Sequence, residues 1–122
     1  VGGKNKDGTL NKTMYKYDFK NPTRWAKFAI LPQLRYDCAV ACLNDILYIT
    51  GGYDEKDMLL SSVIRYCLIT ETWKNVPPMP EPRSDHILIE ERGFLYAIGG
   101  QTNKIEKFIP QENKWEFFSF MK

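Results

Sequence analysis

The sequence contains one histidine, His86, and only three cysteines in 122 residues. The cysteines are odd in number and form no CxxC pair, so neither a disulfide framework nor a zinc site is indicated. We expect Cys38, Cys42 and Cys67 to be small buried side chains in a reducing compartment, which favours a cytoplasmic location. The single imidazole has no serine or cysteine in a matching frame for a catalytic triad. We therefore predict no catalytic residue, no metal and no cofactor.

Long hydrophobic runs and a strong net charge are also absent. No stretch approaches the roughly 18 apolar residues of a membrane span. Seventeen basic against fifteen acidic residues give a net charge of +2, whereas nucleic-acid binding requires a concentrated basic face. Residues 1–27 carry seven basic and two acidic side chains, a local excess of +5, but solvated lysines explain that excess better than a polyanion site. We predict neither a membrane nor a nucleic acid as partner.

Three Gly-Gly pairs mark an internal repeat of about 48 residues. They are Gly2-Gly3, Gly51-Gly52 and Gly99-Gly100. Residues 35–52 align without a gap with residues 83–100, and each stretch runs from an arginine to a double glycine. Further along each repeat, an aromatic residue precedes a tryptophan by seven or eight positions. The pairs are Tyr17 with Trp25, Tyr66 with Trp73, and Phe108 with Trp115.

Each repeat is predicted to form four short strands, and no stretch has a convincing helical period. From first to fourth, the strands are expected at about 38–43, 46–51, 62–68 and 73–76, and again at about 86–90, 94–99, 104–109 and 115–118. The turns Asn44-Asp45 and Arg92-Gly93 suit tight hairpins between first and second strands. The double glycine ends the second strand, where a positive φ or a close backbone approach would exclude a side chain.

This combination of Gly-Gly, spaced aromatic and tryptophan, and a Pro-rich link to an arginine resembles the kelch repeat over essentially the whole chain. One departure is the acidic residue two positions before the aromatic, which is Glu106 in the last repeat but Ile64 in the middle one. The resemblance implies an all-β fold, a partial kelch β-propeller of about two and a half four-stranded antiparallel blades. The blades are predicted at 1–34 (strands three and four only), 35–82 and 83–122.

So few blades cannot close a ring, and the opening on Val1 without methionine suggests a piece of a longer protein. We expect self-association, because an incomplete blade leaves apolar faces and strand edges exposed. Arg35 and Arg83 recur in register and are predicted to be structural, for example by bridging blades. The recurring tryptophans are predicted to be packing anchors, and His86 a packed or channel-lining side chain.

The resemblance also implies a binding face. In a propeller, the loops between strands two and three and the links between blades lie on one side, and such loops vary without disturbing the scaffold. The predicted partner-binding residues lie in these loops: Tyr36, Asp37, Tyr53, Asp54, Glu55, Ser84, Asp85, Gln101 and Asn103. Their excess of acidic side chains predicts a basic or polar ligand segment, although the same acids also fit ordinary turn formers.

Many intracellular kelch proteins are similar to substrate adaptors of cullin-RING ubiquitin ligases, in which a BTB domain binds the cullin and the propeller holds the substrate. The leading hypothesis is therefore a non-enzymatic protein-protein interaction module, the substrate-recognition kelch domain of such an adaptor. Its partners would be a protein substrate or peptide on the loop face and a cullin bound through a BTB domain outside this sequence. An actin-associated kelch protein and a kelch-propeller enzyme such as a sugar mutarotase are the alternatives.

Overall fold

Short strands joined by turns make up the part of the chain that the computed structural model describes, which is Asp7, residues 13–17 and residues 25–122. The strands of these residues are β1 (Thr13–Tyr17), β2 (Trp25–Ile30), β3 (Ala39–Leu43), β4 (Ile46–Thr50), β5 (Val63–Cys67), β6 (Thr72–Val76), β7 (His86–Glu91), β8 (Phe94–Gly99), β9 (Lys104–Ile109) and β10 (Lys114–Phe120). These residues include no helix, and hence none long and apolar enough to cross a membrane.

The strands pair in chain order into antiparallel sheets. In the first sheet β1 pairs with β2; the second sheet has the order β3-β4-β5-β6, and the third has the order β7-β8-β9-β10. Within each sheet, every strand pairs antiparallel with the strand next to it in the chain, as hairpin connections allow. The predicted all-β fold with four-stranded antiparallel blades is confirmed. The blade limits at 34/35 and 82/83 stay predictions.

Two-residue turns join the first and second strands of both four-stranded sheets. Asn44 and Asp45 have φ values of 51° and 61°, and Arg92 and Gly93 have values of 53° and 85°. Positive φ at both central residues is the type I′ geometry, whose twist matches that of the flanking strands. The predicted tight hairpins are therefore confirmed, although Arg92 adopts a conformation that non-glycine residues seldom take.

The largest core lies between the second and third sheets. Tyr48 of β4 packs against Phe108 of β9 with ring centroids 5.6 Å apart. Trp115 packs against Phe108 at 5.2 Å, and its indole N–H donates to the carbonyl oxygen of Pro77 at 2.9 Å. Because full burial of one large apolar side chain is worth about 1.5–3 kcal/mol, this core is the main link between the two sheets. The packing role predicted for this tryptophan is confirmed.

Strand β10 is longer than predicted. The sequence indicated residues 115–118, whereas the strand runs Lys114–Phe120 with a register shift against β9 between Phe117 and Ser119. A bulge of this kind adds an unpaired residue and re-aims the side chains that follow it. The repeat could not predict the extension, because the middle repeat reaches prolines where β10 continues.

The prediction that all three cysteines are buried is wrong for Cys42. That side chain is exposed, whereas Cys38 and Cys67 are half-buried. Side chains alternate along a strand, so Cys42 lies on the face of β3 opposite to Ala41, which packs against the core between the sheets. An apolar run in the sequence does not show which of its two faces is covered.

Candidate protein-interaction face

The double glycines bring the end of a second strand against the link that follows the same blade. Gly51 and Gly52 have φ values of 62° and 89°, and the N–H of Gly52 donates to the carbonyl oxygen of Arg83 at 2.7 Å. A Cβ atom on Gly51 would overlap that same carbonyl oxygen. In the third sheet, a Cβ atom on Gly100 would lie 2.8 Å from the carbonyl oxygen of Ser84. Both the positive dihedral and the close approach expected for these glycines are therefore present.

Two fully buried arginines support the links from beneath. Arg83 donates to the carbonyl oxygen of Gly99 at 2.8 Å and to the carboxylate of Glu106 at 2.8 Å. Arg35 donates to the carbonyl oxygen of Gly51 at 3.0 Å. The structural role predicted for both is confirmed, but each side chain bonds within the sheet that follows it. The bridge between sheets is made by backbone atoms of the link.

We call the surface formed by the links at 36–37 and 84–85, the loop at 53–58 and Gln101–Asn103 the loop face. At one end of it, Tyr36 and Tyr53 exchange two backbone hydrogen bonds, of 3.0 Å and 2.8 Å. Their rings stack with centroids 5.2 Å apart. The Tyr36 hydroxyl donates to the carboxylate of Asp57, and this hydrogen bond, chiefly, raises the pKa of Tyr36 to about 12. A link and a loop thus bring two aromatic rings into contact.

The loop after Tyr53 is organised by its own aspartates. Asp54 Oδ1 accepts the N–H groups of Lys56 at 2.8 Å and Met58 at 3.0 Å. This is the turn-forming behaviour expected of aspartate. Asp54 and Asp57 therefore satisfy local groups as well as adding negative charge, while Glu55 is exposed.

Adjacent blades meet at Asp37 and Asp85. The N–H of Asp85 donates to the carbonyl oxygen of Asp37 at 3.1 Å, and both residues have positive φ values, of 49° and 56°. Their side chains are exposed. Beside them, Ser84 and Gln101 form two hydrogen bonds, of 2.8 Å and 2.6 Å. The two carboxylates thus lie on neighbouring links at the same surface.

The structure joins most of the predicted site residues through the contacts above. Asn103 and Glu55 are the exceptions. The carbonyl oxygen of Asn103 accepts the N–H of Met121 at 2.7 Å, and no hydrogen bond or ion pair in the described ranges connects Asn103 or Glu55 to the other predicted residues. A cleft of about 400 Å³ beside the loop face was not predicted. It is lined by Pro32, Gln33, Leu34, Asp54, Glu55 and Lys56. The proline-containing link was the available sequence signal, but it was interpreted only as a turn.

His86 lies behind the loop face at the start of β7 and is 8% exposed. Its Nε2 atom is 2.7 Å from the hydroxyl of Thr50, and its Nδ1 atom has no hydrogen-bond partner among the described residues. Burial, followed by the charge of Arg83, lowers the pKa of His86 to about 4, so the imidazole is neutral at pH 7. The partner Thr50 was missed. Its signal was a polar residue aligned with Ile98 of the next repeat.

Candidate metal ligands do not cluster in the part of the chain that is described: no three His, Cys, Asp or Glu side chains converge there. Repeated links, stacked aromatic rings and exposed carboxylates are the features of a surface that contacts another molecule. The strand order and the repeated links define part of a β-propeller, and the loop face is its candidate interaction surface.

Comparisons with known proteins agree with this class. A family model of the Kelch motif matches residues 34–80. The chain is 34% identical over 98 residues to Kelch repeat and BTB domain-containing protein 1 of Vaccinia virus (strain Copenhagen), a match that covers 72% of this chain and 17% of that protein. It is 31% identical over 105 residues to Kelch-like protein 38 of Danio rerio, covering 82% of this chain and 18% of that protein.

Two further similarities complete the comparison. Beta-scruin of Limulus polyphemus is 30% identical over 80 residues, which covers 66% of this chain and 9% of that protein. The solved structure of YjhT superimposes with a TM-score of 0.77 at 16% identity, over 98% of this chain and 50% of that one, and shows the fold alone.

The chain belongs to the kelch-repeat family, and it is a protein-protein interaction domain of that family. It spans about one-sixth of the length of the BTB-kelch relatives it matches.

Proposed function

We propose that this chain is part of the substrate-recognition kelch domain of a cullin-RING ubiquitin ligase adaptor in the cytoplasm. Support comes from the relatives whose names combine kelch repeats with a BTB domain. In this proposal the parent protein binds a cullin through a BTB domain, while the loop face holds a segment of the protein substrate. The chain itself catalyses no reaction.

The observation that carries the proposal is the position of Asp37 and Asp85. Their backbones are hydrogen-bonded across two neighbouring links, and both carboxylates are exposed. Glu55 adds a further exposed carboxylate on the adjoining loop, against Lys56. A basic or polar segment would meet complementary charge across both links, and such contacts weaken as salt screens them over about 8–10 Å. The proposed contact residues are Tyr36, Asp37, Tyr53, Asp54, Glu55, Ser84, Asp85, Gln101 and Asn103.

His86 supports a binding function better than a catalytic one. A neutral buried imidazole bonded to Thr50 is poorly placed to accept a proton from a substrate in solvent. Among the described residues, the one side-chain hydrogen bond of His86 is the bond to the Thr50 hydroxyl. The side chain therefore fits a packing role between the second and third sheets.

The test uses the intact parent protein and its Asp37→Asn/Asp85→Asn variant. Asparagine keeps the preference for positive φ at both positions while removing the charge, whereas lysine would add backbone strain. We expect immunoprecipitation to recover the same amount of cullin with both proteins. Proximity labelling should recover substrates with the wild type and lose them with the variant. Lys114→Gln, in an exposed ion pair away from the loop face, is the matched control.

Three results would contradict the proposal. Absence of cullin from the precipitate of the wild-type protein would contradict the assignment to a ubiquitin ligase. Co-sedimentation of the parent protein with actin filaments would favour the actin-associated alternative. Turnover of a sugar that is abolished by His86→Gln would favour a propeller enzyme.

A further inference from the structure

The outer edge of the third sheet differs from the outer edge of the second. Strand β10 is seven residues long, and its stretch 115–120 contains neither lysine nor proline. The equivalent strand β6 is five residues long, contains Lys74 and runs into prolines at 77–78. Proteins commonly protect edge strands from pairing with lysine, proline or short length. β6 combines all three features, whereas β10 has a lysine only at its first residue, Lys114, and its one other protective feature is the bulge after Phe117.

The bulge in β10 places two aromatic rings on one side of the strand. Phe117 and Phe120 are three residues apart, so regular alternation would point them to opposite faces. The register shift between Phe117 and Ser119 instead brings their ring centroids to 5.0 Å. Both rings are more than half exposed, at 53% and 55%. The aligned positions of the middle repeat are Asn75 and Pro78, which need no apolar cover.

These rings border an open groove of about 560 Å³ between β10 and the link that joins the two sheets. Trp115 lines the groove together with both phenylalanines, and it also packs against the buried Phe108. The link contributes Pro80 and Glu81 to the lining, and β9 contributes Lys104, which pairs with Phe120 in the register. The groove is therefore continuous with the packed interface between the second and third sheets.

The charges around the groove leave one carboxylate available. Glu81 is paired with Lys104 at 2.7 Å, and Glu106 is paired with Arg83 at 2.8 Å. Glu116 also lines the groove and is exposed. Lys107 lies opposite it in the register, but the Lys107 ammonium lies over the Phe94 ring at 4.0 Å, and Glu116 forms no ion pair with any residue in the described ranges. A ligand with a basic side chain would supply the missing countercharge.

We propose that β10 and this groove bind an extended segment of a partner protein, which adds as a fifth strand to the third sheet. Backbone hydrogen bonds to the free edge of β10 hold the segment, and its apolar side chains at alternate positions cover Phe117 and Phe120. A lysine or arginine of the segment pairs with Glu116. This surface adjoins the loop face only where Asn103 accepts the N–H of Met121, and no residue that lines the groove belongs to the loop face, so the inference does not depend on the proposed function.

The probe is a phage-displayed library of random nine-residue peptides, selected on the chain and counter-selected on the rim variant, Phe117→Asn/Phe120→Pro. These substitutions install the residues of the middle repeat at the same positions. We expect the selected peptides to alternate apolar residues with lysine or arginine. As synthetic peptides, they should bind the rim variant at least about tenfold more weakly than the wild type, as expected when aromatic anchors are removed. Asp37→Asn/Asp85→Asn should leave their affinity unchanged.

Two further measurements keep the test decisive if the rim variant folds poorly. Glu116→Gln removes only the charge of an exposed side chain and should weaken the basic peptides while leaving the melting temperature unchanged. Hydrogen exchange should show that a bound peptide protects backbone amides of 114–120. Selection of no peptide that prefers the wild type, protection confined to the loop face, or protection of β10 by a second copy of the chain without peptide would each overturn the proposal.

Discussion

Arg83 and Glu106 form an ion pair of 2.8 Å in which both side chains are buried, whereas Arg35, at the equivalent position of the preceding repeat, has no such partner among the residues that the structure describes. The residue aligned with Glu106 is Ile64, which packs in an apolar cluster. Arg35 donates instead to the hydroxyl of Ser62 at 3.1 Å and to carbonyl oxygens, and burial lowers its pKa. One repeat thus pairs its buried arginine with a carboxylate, and the other repeat hydrogen-bonds its buried arginine to neutral groups.

Replacing one partner of the buried pair should therefore be costly. We expect Glu106→Gln to lower the free energy of unfolding by about 3 kcal/mol, because Arg83 would keep its charge in a buried site without a counterion. Urea unfolding followed by tryptophan fluorescence measures the change. Glu112→Gln, which removes one partner of an exposed pair at 3.5 Å from Lys114, should change stability by less than about 0.5 kcal/mol. Equal effects of the two substitutions would contradict this account.

The fold could be predicted from the sequence because its repeat contains backbone requirements as well as hydrophobicity. The turn at Asn44-Asp45 and the glycines at 51–52 need positive φ, and the structure has positive φ at all four positions. What the repeat could not show was where one copy departs from another. The extension and bulge of β10 depend on residues after Trp115 that differ from the aligned residues of the middle repeat, where Asn75 and Pro78 stand in place of Phe117 and Phe120. The exposure of Cys42 depends on which face of β3 is covered.

The candidate site was less accessible to sequence reasoning than the fold. Links and loops could be assigned to one surface by family geometry, but contacts such as Tyr36 with Asp57 depend on the path of the loop. The cleft lined by residues 32–34 and 54–56 likewise arises from two segments about twenty residues apart. Repeat alignment compares equivalent positions, so it cannot reveal a contact between positions that are not equivalent.

A comparison of the aligned glycines Gly51 and Gly99 separates the free-energy cost of backbone strain from the cost of steric crowding. Both have positive φ, at 62° and 87°, but a Cβ atom on Gly99 would meet nothing within 4 Å, whereas one on Gly51 would overlap the carbonyl oxygen of Arg83. We expect Gly99→Ala to cost about 1–2 kcal/mol from backbone strain alone. Gly51→Ala should cost clearly more, because the two sheets must also separate. Thermal unfolding of both variants measures this difference. A similar loss of stability in the two variants would contradict the prediction, because it would show that the neighbours of Gly51 move aside at little cost in free energy.

His86 should make stability depend on pH in a defined window. Its pKa is lowered to about 4 in the folded chain, against 6.5 for the unfolded chain. Between pH 4 and pH 6.5 the unfolded state binds the proton and the folded state does not. The contribution of the neutral His86 side chain to the free energy of unfolding is therefore fully present above pH 6.5 and is lost as the pH falls toward 4. The loss should amount to about 2 kcal/mol. Urea unfolding at pH 7.5 and pH 4.5 measures how much the free energy of unfolding falls between these two pH values. The fall should be smaller for His86→Gln than for the wild type, and an equal fall would assign the pH dependence to other groups.

One face of the third sheet points away from the second sheet. Ile87 and Ile89 are 59% and 42% exposed on that face. The aligned residues of the second sheet, Ala39 and Ala41, pack into the core against the third sheet. Equivalent positions are thus buried between sheets in the second sheet and exposed in the third sheet. The exposed isoleucines are also larger and more apolar than the buried alanines. Exposed apolar surface of this kind favours association.

We therefore expect the 122-residue chain to self-associate, and Ile87→Lys/Ile89→Lys to shift it toward monomer. Ile69→Lys is the matched control, because Ile69 is 74% exposed in the turn between β5 and β6, away from this face. Sedimentation velocity at several concentrations measures the shift. Added salt should not dissolve the wild-type assembly, since apolar contacts are not screened as charges are. A compact wild-type monomer that melts cooperatively above about 60 °C would contradict the prediction, because it would show that the open face is tolerated in water.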